Sequence, residues 1–153
     1  MERKPRIYVD MDDTLCICFS EMKRMLQENP KIGYPQATYG FFTNLKPKTG
    51  AIEGFKFLYE HFDVWILSRP SYRNPLCYTE KRVWVENHLG LDVCEKLILC
   101  SDKSLLKGEY LIDDNFWSFD GKLIQIGTSE FPTWTEIINY FKNNKALIAI
   151  LIL

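Results

Sequence analysis

The sequence lacks an excess of charge of either sign, a long apolar run and a metal-binding set of cysteines and histidines. Its 153 residues carry 19 basic and 20 acidic side chains, a net charge of -1. No overall basic field therefore exists to hold polymeric nucleic acid. The apolar stretch 146–153 is too short to span a bilayer, and its role stays open between a strand, a docking tail and a partner surface.

Five scattered cysteines and two histidines show none of the spacings that structural zinc sites use. We interpret the cysteines as free thiols in a reducing compartment, and no apolar signal region follows Met1. Together these features predict a cytoplasmic protein without a membrane partner.

Short apolar runs alternate with segments of helical periodicity along the chain. The runs predict strands at 6–9, 63–67, 97–100, 110–112 and 123–126, and the periodic segments predict helices at 17–27, 49–61, 78–89 and 133–142. Strands that alternate with helices indicate an α/β fold, a Rossmann-like parallel sheet flanked by helices. Ligands of such sheets bind beyond the carboxyl ends of the strands.

Carboxylates follow two of the predicted strands. Asp10, Asp12 and Asp13 come after the first strand, and Asp113 and Asp114 come after the fourth. Because these strand ends meet at one edge of the sheet, the acidic side chains would repel one another unless a cation lay between them. An all-oxygen donor set favours Mg²⁺ over zinc or copper.

Two further polar residues are expected at the same edge, Ser68 after the second strand and Lys103 after the third, with Lys107 as the rival lysine. A carboxylate beside Mg²⁺ can attack phosphorus and form a covalent intermediate. A second carboxylate can protonate the leaving alkoxide and then activate water. A lysine and a hydroxyl can hold the phosphoryl oxygens. The pattern therefore predicts phosphate-ester hydrolysis.

Four segments, in order, resemble the motifs of the haloacid dehalogenase superfamily of phosphatases: 10–15 (DMDDTL), Ser68, Lys103 and 112–114 (IDD). The resemblance implies that Asp10 is the nucleophile and Asp12 the general acid and base. It implies that Ser68 and Lys103 complete the catalytic set. It also implies a Mg²⁺ site formed by the Asp10 carboxylate, the Asp12 backbone carbonyl, and Asp113 and Asp114, with Asp114 in direct contact.

A narrower similarity is to the 5′(3′)-deoxyribonucleotidases. It is carried by 68–70 (SRP), 78–90 (YTEKRVWVENHLG), 101–103 (SDK), 111–114 (LIDD) and 131–134 (FPTW). The resemblance favours Lys103 over Lys107. It implies a core formed by 1–15 and 49–153, with a small helical cap at 16–48 inserted after the first strand. It also implies nucleoside monophosphate substrates, preferably deoxyribose and pyrimidine, with cap aromatics around the base.

The chain departs from this family at two places. Family members often have glycine where Asp13 stands, and a stacking phenylalanine where Cys18 stands, with Phe19 one residue later. We therefore consider Phe19, Phe41 and Phe42 as candidate substrate-binding aromatics, the last two either lining the pocket or anchoring the cap. Arg69 and Arg73 are candidate phosphate ligands, and Arg69 is the one we assign to substrate binding.

Three alternative functions stay open: a phosphatase of the same superfamily acting on a sugar or cofactor phosphate, a catalytically inactive binding protein of the same fold, and a 3′-phosphatase of nucleic-acid ends. The intact set of Asp10, Asp12, Lys103 and Asp114 argues against the second, and the missing basic face against the third. The expected partner is a small phosphate ester. The sequence leaves the oligomeric state open, a homodimer included.

Overall fold

The computed structural model describes residues 3–144 of the chain. Its five strands are β1 (Arg6–Val9), β2 (Asp63–Ser68), β3 (Leu97–Leu99), β4 (Lys107–Asp113) and β5 (Asp120–Gln125). Its four α-helices are α1 (Phe19–Glu28), α2 (Ala51–His61), α3 (Cys77–Leu89) and α4 (Trp134–Asn143). The apolar stretch 146–153, whose role the sequence leaves open, lies outside the described residues.

The strands form one parallel sheet in the order β3-β2-β1-β4-β5. The central strand β1 is followed by α1 and the connection to α2. The chain then adds β2 and β3 on one side and β4 and β5 on the other. The predicted Rossmann-like parallel sheet with flanking helices is confirmed. The order reverses beside β1, so its carboxyl end is the expected position for a ligand.

Successive side chains of each strand point to opposite faces of the sheet. Ile7 and Val9 of β1 join the larger hydrophobic cluster with the buried faces of α2, α3 and α4, whereas Tyr8 joins a smaller cluster formed by strands and loops. Near-continuous apolar runs such as 64–67 (VWIL) suit this two-sided burial.

Helices α2 and α4 approach each other closely at Gly54. A Cβ atom at this position would lie 2.5 Å from Cε3 of Trp134, so a larger residue cannot be accommodated without displacing a buried indole. The same indole donates a hydrogen bond from Nε1 to the carbonyl of Thr14, 2.8 Å away. Helix α4 therefore supports the loop that follows β1.

The segment 16–48, predicted to be a cap, contains α1 and two short 3₁₀ turns at Pro30–Ile32 and Pro35–Ala37. Its buried side chains, such as Phe41 and Phe42, belong to the larger hydrophobic cluster. The boundaries of the cap and core stay a prediction. Within residues 3–144, no helix combines the length and apolar character needed to cross a membrane.

Candidate active site

Asp10 stands directly after β1, at the centre of the sheet's carboxyl edge. Its backbone N–H continues the ladder by donating to the carbonyl of Ile112, 2.9 Å away. Asp10 is only 5% exposed, and its carboxylate accepts hydrogen bonds from Lys103 Nζ at 2.6 Å and from Thr14 Oγ1 at 3.3 Å. Burial raises the pKa of Asp10 to about 8, against the opposing effect of the Lys103 ammonium and with help from nearby carboxylates.

Lys103 joins the two acidic strand ends. It lies in a 3₁₀ turn after β3, is 1% exposed, and donates to Asp113 Oδ2 at 2.6 Å as well as to Asp10. Although burial opposes its charge, the two carboxylates raise the pKa of Lys103. The lysine is therefore held as an ammonium ion at the bottom of the site.

Carboxylate oxygens of Asp10, Asp113 and Asp114 all lie within 4.8 Å of one another. Burial and the neighbouring Asp113 raise the pKa of Asp114 to about 6. Three clustered carboxylates face one ammonium, Lys103, so the cluster retains negative charge that burial makes costly. These hard oxygen donors and the uncompensated charge fit a Mg²⁺ ion.

The Asp12 carboxylate does not belong to this group. Its Oδ2 accepts a hydrogen bond from Lys81 Nζ at 2.9 Å, and its side chain remains 31% exposed. The resemblance described above assigns only the backbone carbonyl of Asp12 to the metal. Its carboxylate is thus available for proton transfer, beside the site that the other three carboxylates form.

Lys81 is a site residue that the sequence analysis missed. Its side chain is completely buried, and its ammonium donates to Asp12, to Ser68 Oγ at 2.6 Å and to the carbonyl of Arg69 at 3.0 Å. Burial opposes this charge, but the Asp12 carboxylate raises the pKa of Lys81. Between Glu80 and Arg82, the lysine has the sequence context of a solvated helix face, so charge pattern offers no signal for its role.

Ser68 is buried at the end of β2 and contacts the site through Lys81. The next residue, Arg69, is exposed and lines a cavity of about 520 Å³ above the strand ends. The carboxylates of Asp10, Asp12 and Asp114 line the same cavity. The structure therefore brings Arg69, Lys103 and the acidic residues to one cavity, whereas Ser68 lies behind its lining.

The three candidate aromatics occupy different environments. Phe42 lines the cavity, and Phe41 is buried behind it, with ring centroids 5.0 Å apart in an edge-to-face pair. Phe19 is 56% exposed and is not among the cavity-lining residues; Lys23 Nζ lies 4.7 Å from its ring centroid. One helical position separates Phe19 from Cys18, which does line the cavity, and this rotates the side chain by about 100°.

Other aromatic side chains line the cavity without having been predicted, namely Tyr34, Tyr72 and Trp117. The Arg73 guanidinium lies 4.7 Å from the ring centroid of Tyr34 and 5.7 Å from that of Tyr72. Arg73 thus connects the segment after α1 to the loop after β2. These loop residues carry no periodic signal, so only the folded chain shows their common location.

Glu80 holds Phe42 in place. Its carboxylate is buried and accepts hydrogen bonds from the backbone N–H groups of Gly40 at 2.7 Å and Phe42 at 3.0 Å. The side chain of Asn74 donates to the same carboxylate at 3.4 Å. Helix α3 therefore contacts two parts of the cavity: Glu80 binds the backbone beside Phe42, and Lys81, its neighbour in sequence, binds the Asp12 carboxylate.

The chain is similar in sequence to known nucleotidases. The family described as 5′ nucleotidase, deoxy (pyrimidine), cytosolic type C protein (NT5C) matches residues 33–135, about two thirds of the chain. A Vibrio phage KVP40 protein, provisionally named a 5′(3′)-deoxyribonucleotidase, is 38% identical over 143 residues, which cover 90% of this chain and 84% of the phage protein.

Cellular relatives are longer. The Bordetella pertussis protein, also provisionally named a 5′(3′)-deoxyribonucleotidase, is 44% identical over 110 residues, 69% of this chain and 55% of its own length. The human 5′(3′)-deoxyribonucleotidase, cytosolic type, is 34% identical over 111 residues, 71% of this chain and 52% of its own. The chain thus spans about half the length of these two relatives. By these matches it belongs to the 5′(3′)-deoxyribonucleotidase family, phosphoric monoester hydrolases of the haloacid dehalogenase superfamily.

Proposed function

We propose that this chain is a Mg²⁺-dependent phosphatase that hydrolyses nucleoside monophosphates, preferably deoxynucleotides, through an aspartyl-phosphate on Asp10. The observation that carries the proposal is the position of the Asp10 carboxylate. It lies at the floor of the cavity, bonded to Lys103, within reach of the Asp113 and Asp114 carboxylates and two residues from Asp12.

In the first step, a carboxylate oxygen of Asp10 forms a bond to phosphorus while the ester P–O bond breaks. Asp12 enters this step protonated, with the proton that it took from water in the preceding turnover, and gives it to the departing alkoxide, which would otherwise be a poor leaving group. Lys103 and the hydroxyl and backbone groups of the Ser68 loop stabilise the charge on the phosphoryl oxygens. In the second step, water attacks the same phosphorus, Asp12 accepts its proton, and the Asp10 carboxylate is released with inorganic phosphate.

Mg²⁺ would be held by Asp10, Asp113, Asp114 and the backbone carbonyl of Asp12. When bound, it supplies positive charge that offsets the clustered carboxylates and the phosphate dianion. Lys103 bonds to both Asp10 and Asp113 at 2.6 Å and so holds the two carboxylates together. The site is therefore preorganised by the protein's own residues.

Nucleotides are the proposed substrate class because the names of the relatives state that chemistry and because the cavity suits it. A volume of about 520 Å³ lies within the usual range for small-ligand sites. The aromatic side chains of Tyr34, Phe42 and Tyr72 offer faces for a base, while the acidic and basic groups lie at the strand ends. We place the activity in the cytoplasm, in keeping with the cytosolic type of the human relative.

The test is phosphate release with Mg²⁺ from dUMP, dTMP, dGMP, UMP, 3′-nucleotides and sugar phosphates. We expect deoxynucleotides to be preferred, and exhaustive chelation with EDTA to stop the reaction until Mg²⁺ is restored. Turnover of sugar phosphates alone would overturn the nucleotidase assignment, and activity that survives chelation would overturn the metal requirement.

The nucleophile is tested separately. Asp10→Asn should abolish turnover and the trapping of phosphate on the protein, because an amide cannot form the acyl phosphate. Asp92→Asn, an exposed aspartate outside the active-site cavity, is the matched control and should keep wild-type activity. Substantial turnover by Asp10→Asn would refute the assignment.

A further inference from the structure

Two buried polar side-chain atoms among the described residues have no hydrogen-bond partner, Gln36 Oε1 and Trp117 Nε1, and both residues line the active-site cavity. Buried polar groups are almost always paired, since an unpaired one costs free energy. Their common location at the cavity makes both atoms candidates for contact with a bound ligand.

The two residues belong to different walls. Trp117 lies close to the catalytic end, because Lys103 Nζ is 5.4 Å from the centroid of its ring. Gln36 lies in the 3₁₀ turn Pro35–Ala37, in the segment that joins α1 to α2. Tyr34 and Phe42 of the same segment line the cavity on this side. Gln36 therefore belongs to the segment that supplies Tyr34 and Phe42 to the cavity, and not to the strand ends that supply the carboxylates.

The carboxamide of Gln36 is poorly paired at both of its polar atoms. Its Nε2 donates to the thioether sulfur of Met22 at 2.8 Å, and sulfur is a weak acceptor. Exchanging the two atoms of the amide would place Oε1 against that sulfur, which cannot donate a hydrogen bond. Neither orientation satisfies the group within the protein.

We infer that the Gln36 carboxamide recognises the edge of the nucleobase, donating one hydrogen bond and accepting another. This inference rests on the proposed function. A carboxamide matches an edge that presents a donor and an acceptor side by side, such as N3–H and O4 of thymine or uracil. To form these two hydrogen bonds, the Gln36 side chain rotates away from Met22. The neighbouring aromatic side chains then contact the faces of the base.

The experiment combines a variant with a modified substrate. Gln36→Leu removes both polar atoms, and N3-methylation of dTMP removes the donor from the base. Values of kcat/KM with Mg²⁺ are measured for dTMP, N3-methyl-dTMP and 2-deoxyribose 5-phosphate. Gln27→Leu, an exposed glutamine on α1, is the matched control.

In the wild-type protein, N3-methylation should lower kcat/KM roughly tenfold to a hundredfold, the loss expected for a broken hydrogen-bonded pair in a desolvated site. Gln36→Leu should lower kcat/KM for dTMP by a similar factor. In this variant, N3-methylation of dTMP should change kcat/KM little, and kcat/KM for 2-deoxyribose 5-phosphate, which has no base, should equal the wild-type value. Gln36→Met, which keeps an unbranched side chain, should behave like Gln36→Leu.

The thermal midpoint of the free protein provides an independent measurement. Because Gln36 has no satisfactory partner, Gln36→Leu should leave the midpoint unchanged or raise it. A lower midpoint together with a parallel loss on all three substrates would show a structural role and overturn the inference. The inference would also be overturned if N3-methylation of dTMP lowered kcat/KM as much in Gln36→Leu as in the wild type.

The two proposals fail in distinguishable ways. A wild-type protein that prefers 2-deoxyribose 5-phosphate to every nucleotide overturns the proposed function and this inference together. A wild-type protein that prefers dTMP, with the preference intact in Gln36→Leu, overturns the inference alone.

Discussion

Replacement of Lys81 by methionine tests whether a buried ammonium ion positions the general acid. Lys81 is completely buried and donates three hydrogen bonds of 2.6–3.0 Å, to Asp12, Ser68 and the carbonyl of Arg69. Methionine has nearly the same length and shape but no donor. The substitution therefore removes the charge and its three hydrogen bonds while filling most of the same volume.

The cost to stability follows from what each partner can do afterwards. Ser68 Oγ and the Arg69 carbonyl lose a donor in a buried place, at about 1–3 kcal/mol for each unsatisfied group. Asp12 has 31% of its side chain exposed, so water can replace the lost hydrogen bond to its carboxylate. Loss of the buried charge offsets part of the cost, so we expect a net loss of about 2–4 kcal/mol. For a domain of this size that is roughly 5–15 °C in thermal midpoint.

The effect on catalysis should depend on the leaving group. General acid catalysis contributes roughly 10²–10⁴-fold, so a displaced Asp12 should lower kcat/KM for dTMP about a hundredfold. Nitrophenolate leaves without a proton, so kcat/KM for p-nitrophenyl phosphate should fall less than about tenfold. This parameter reports the steps through formation of the proposed phosphoenzyme, and so excludes the later hydrolysis, in which we propose that Asp12 acts as a base.

Steady-state phosphate release below the new thermal midpoint is the assay. The matched control is Lys56→Met, at an exposed lysine on α2. It should change neither the thermal midpoint nor kcat/KM for either substrate. Equal losses on the two substrates would refute the reasoning, because they would show that Lys81 acts on phosphate binding or folding and not through Asp12.

Three further predictions concern Glu80, the proposed Mg²⁺ site and Asp63. Glu80→Gln replaces the carboxylate that accepts hydrogen bonds from the N–H groups of Gly40 and Phe42 with a weaker, neutral acceptor. It should raise KM for dTMP several-fold at nearly constant kcat. An unchanged KM in steady-state kinetics would argue against a role of Glu80 in positioning Phe42. Mg²⁺ at a hundred times its Kd should stabilise the wild type by about 2.7 kcal/mol in thermal unfolding. Asp114→Asn should lose most of this gain, whereas an undiminished shift would exclude Asp114 as a ligand. Partial burial opposes ionisation of Asp63, but hydrogen bonds from two cationic side chains and an indole lower its pKa. Its contribution to stability, at most about 1 kcal/mol, should be present above its unfolded pKa and vanish as the pH falls through the lower folded value. Denaturant unfolding of wild type and Asp63→Asn at pH 7 and pH 3 measures this contribution. An equal difference in the free energy of unfolding at the two pH values would contradict the prediction.

Local sequence signals predict the parts of the site that stand at strand ends. A short apolar run ending in an acid is sufficient to place Asp10 and Asp113, because parallel strands bring their carboxyl ends to one edge. The strand pattern also places Lys103 after β3, but the family resemblance was needed to prefer it to Lys107, and the structure shows Lys103 bonded to both acids. These residues can be found because their positions depend on the strand pattern and not on the direction of a helix face.

Residues on helices and irregular segments are not predictable in the same way. Lys81 and Glu80 belong to one turn of α3, and both point into the protein to meet polar partners that come from other elements. In sequence they are indistinguishable from a solvated face, which is the usual location of such residues. Gln36 and Tyr34 lie in a segment without periodicity, so their position on the cavity wall depends on tertiary packing alone.

Asp13 shows how one loop residue links the end of β1 to the segment 16–48. It is the one non-glycine residue with positive φ, +59°, among the described residues, and it stands where the resembling family often has glycine. Aspartate tolerates this left-handed conformation better than most residues. Its Oδ1 also accepts hydrogen bonds from the N–H groups of Cys18 and Phe19, each at 3.0 Å, at the beginning of α1.

Glycine at this position would allow the turn but could not cap the helix, and alanine would do neither. The carboxylate therefore orients α1, and with it the segment that carries the aromatic wall, directly from the loop that holds Asp10 and Asp12. Lys48 Nζ donates to the backbone carbonyl of Asp13 at 2.8 Å, so the returning end of that segment is attached to the same residue. Both ends of the segment are thus attached to the loop after β1, so Asp13 couples the position of this loop to that of the segment that carries Tyr34 and Phe42.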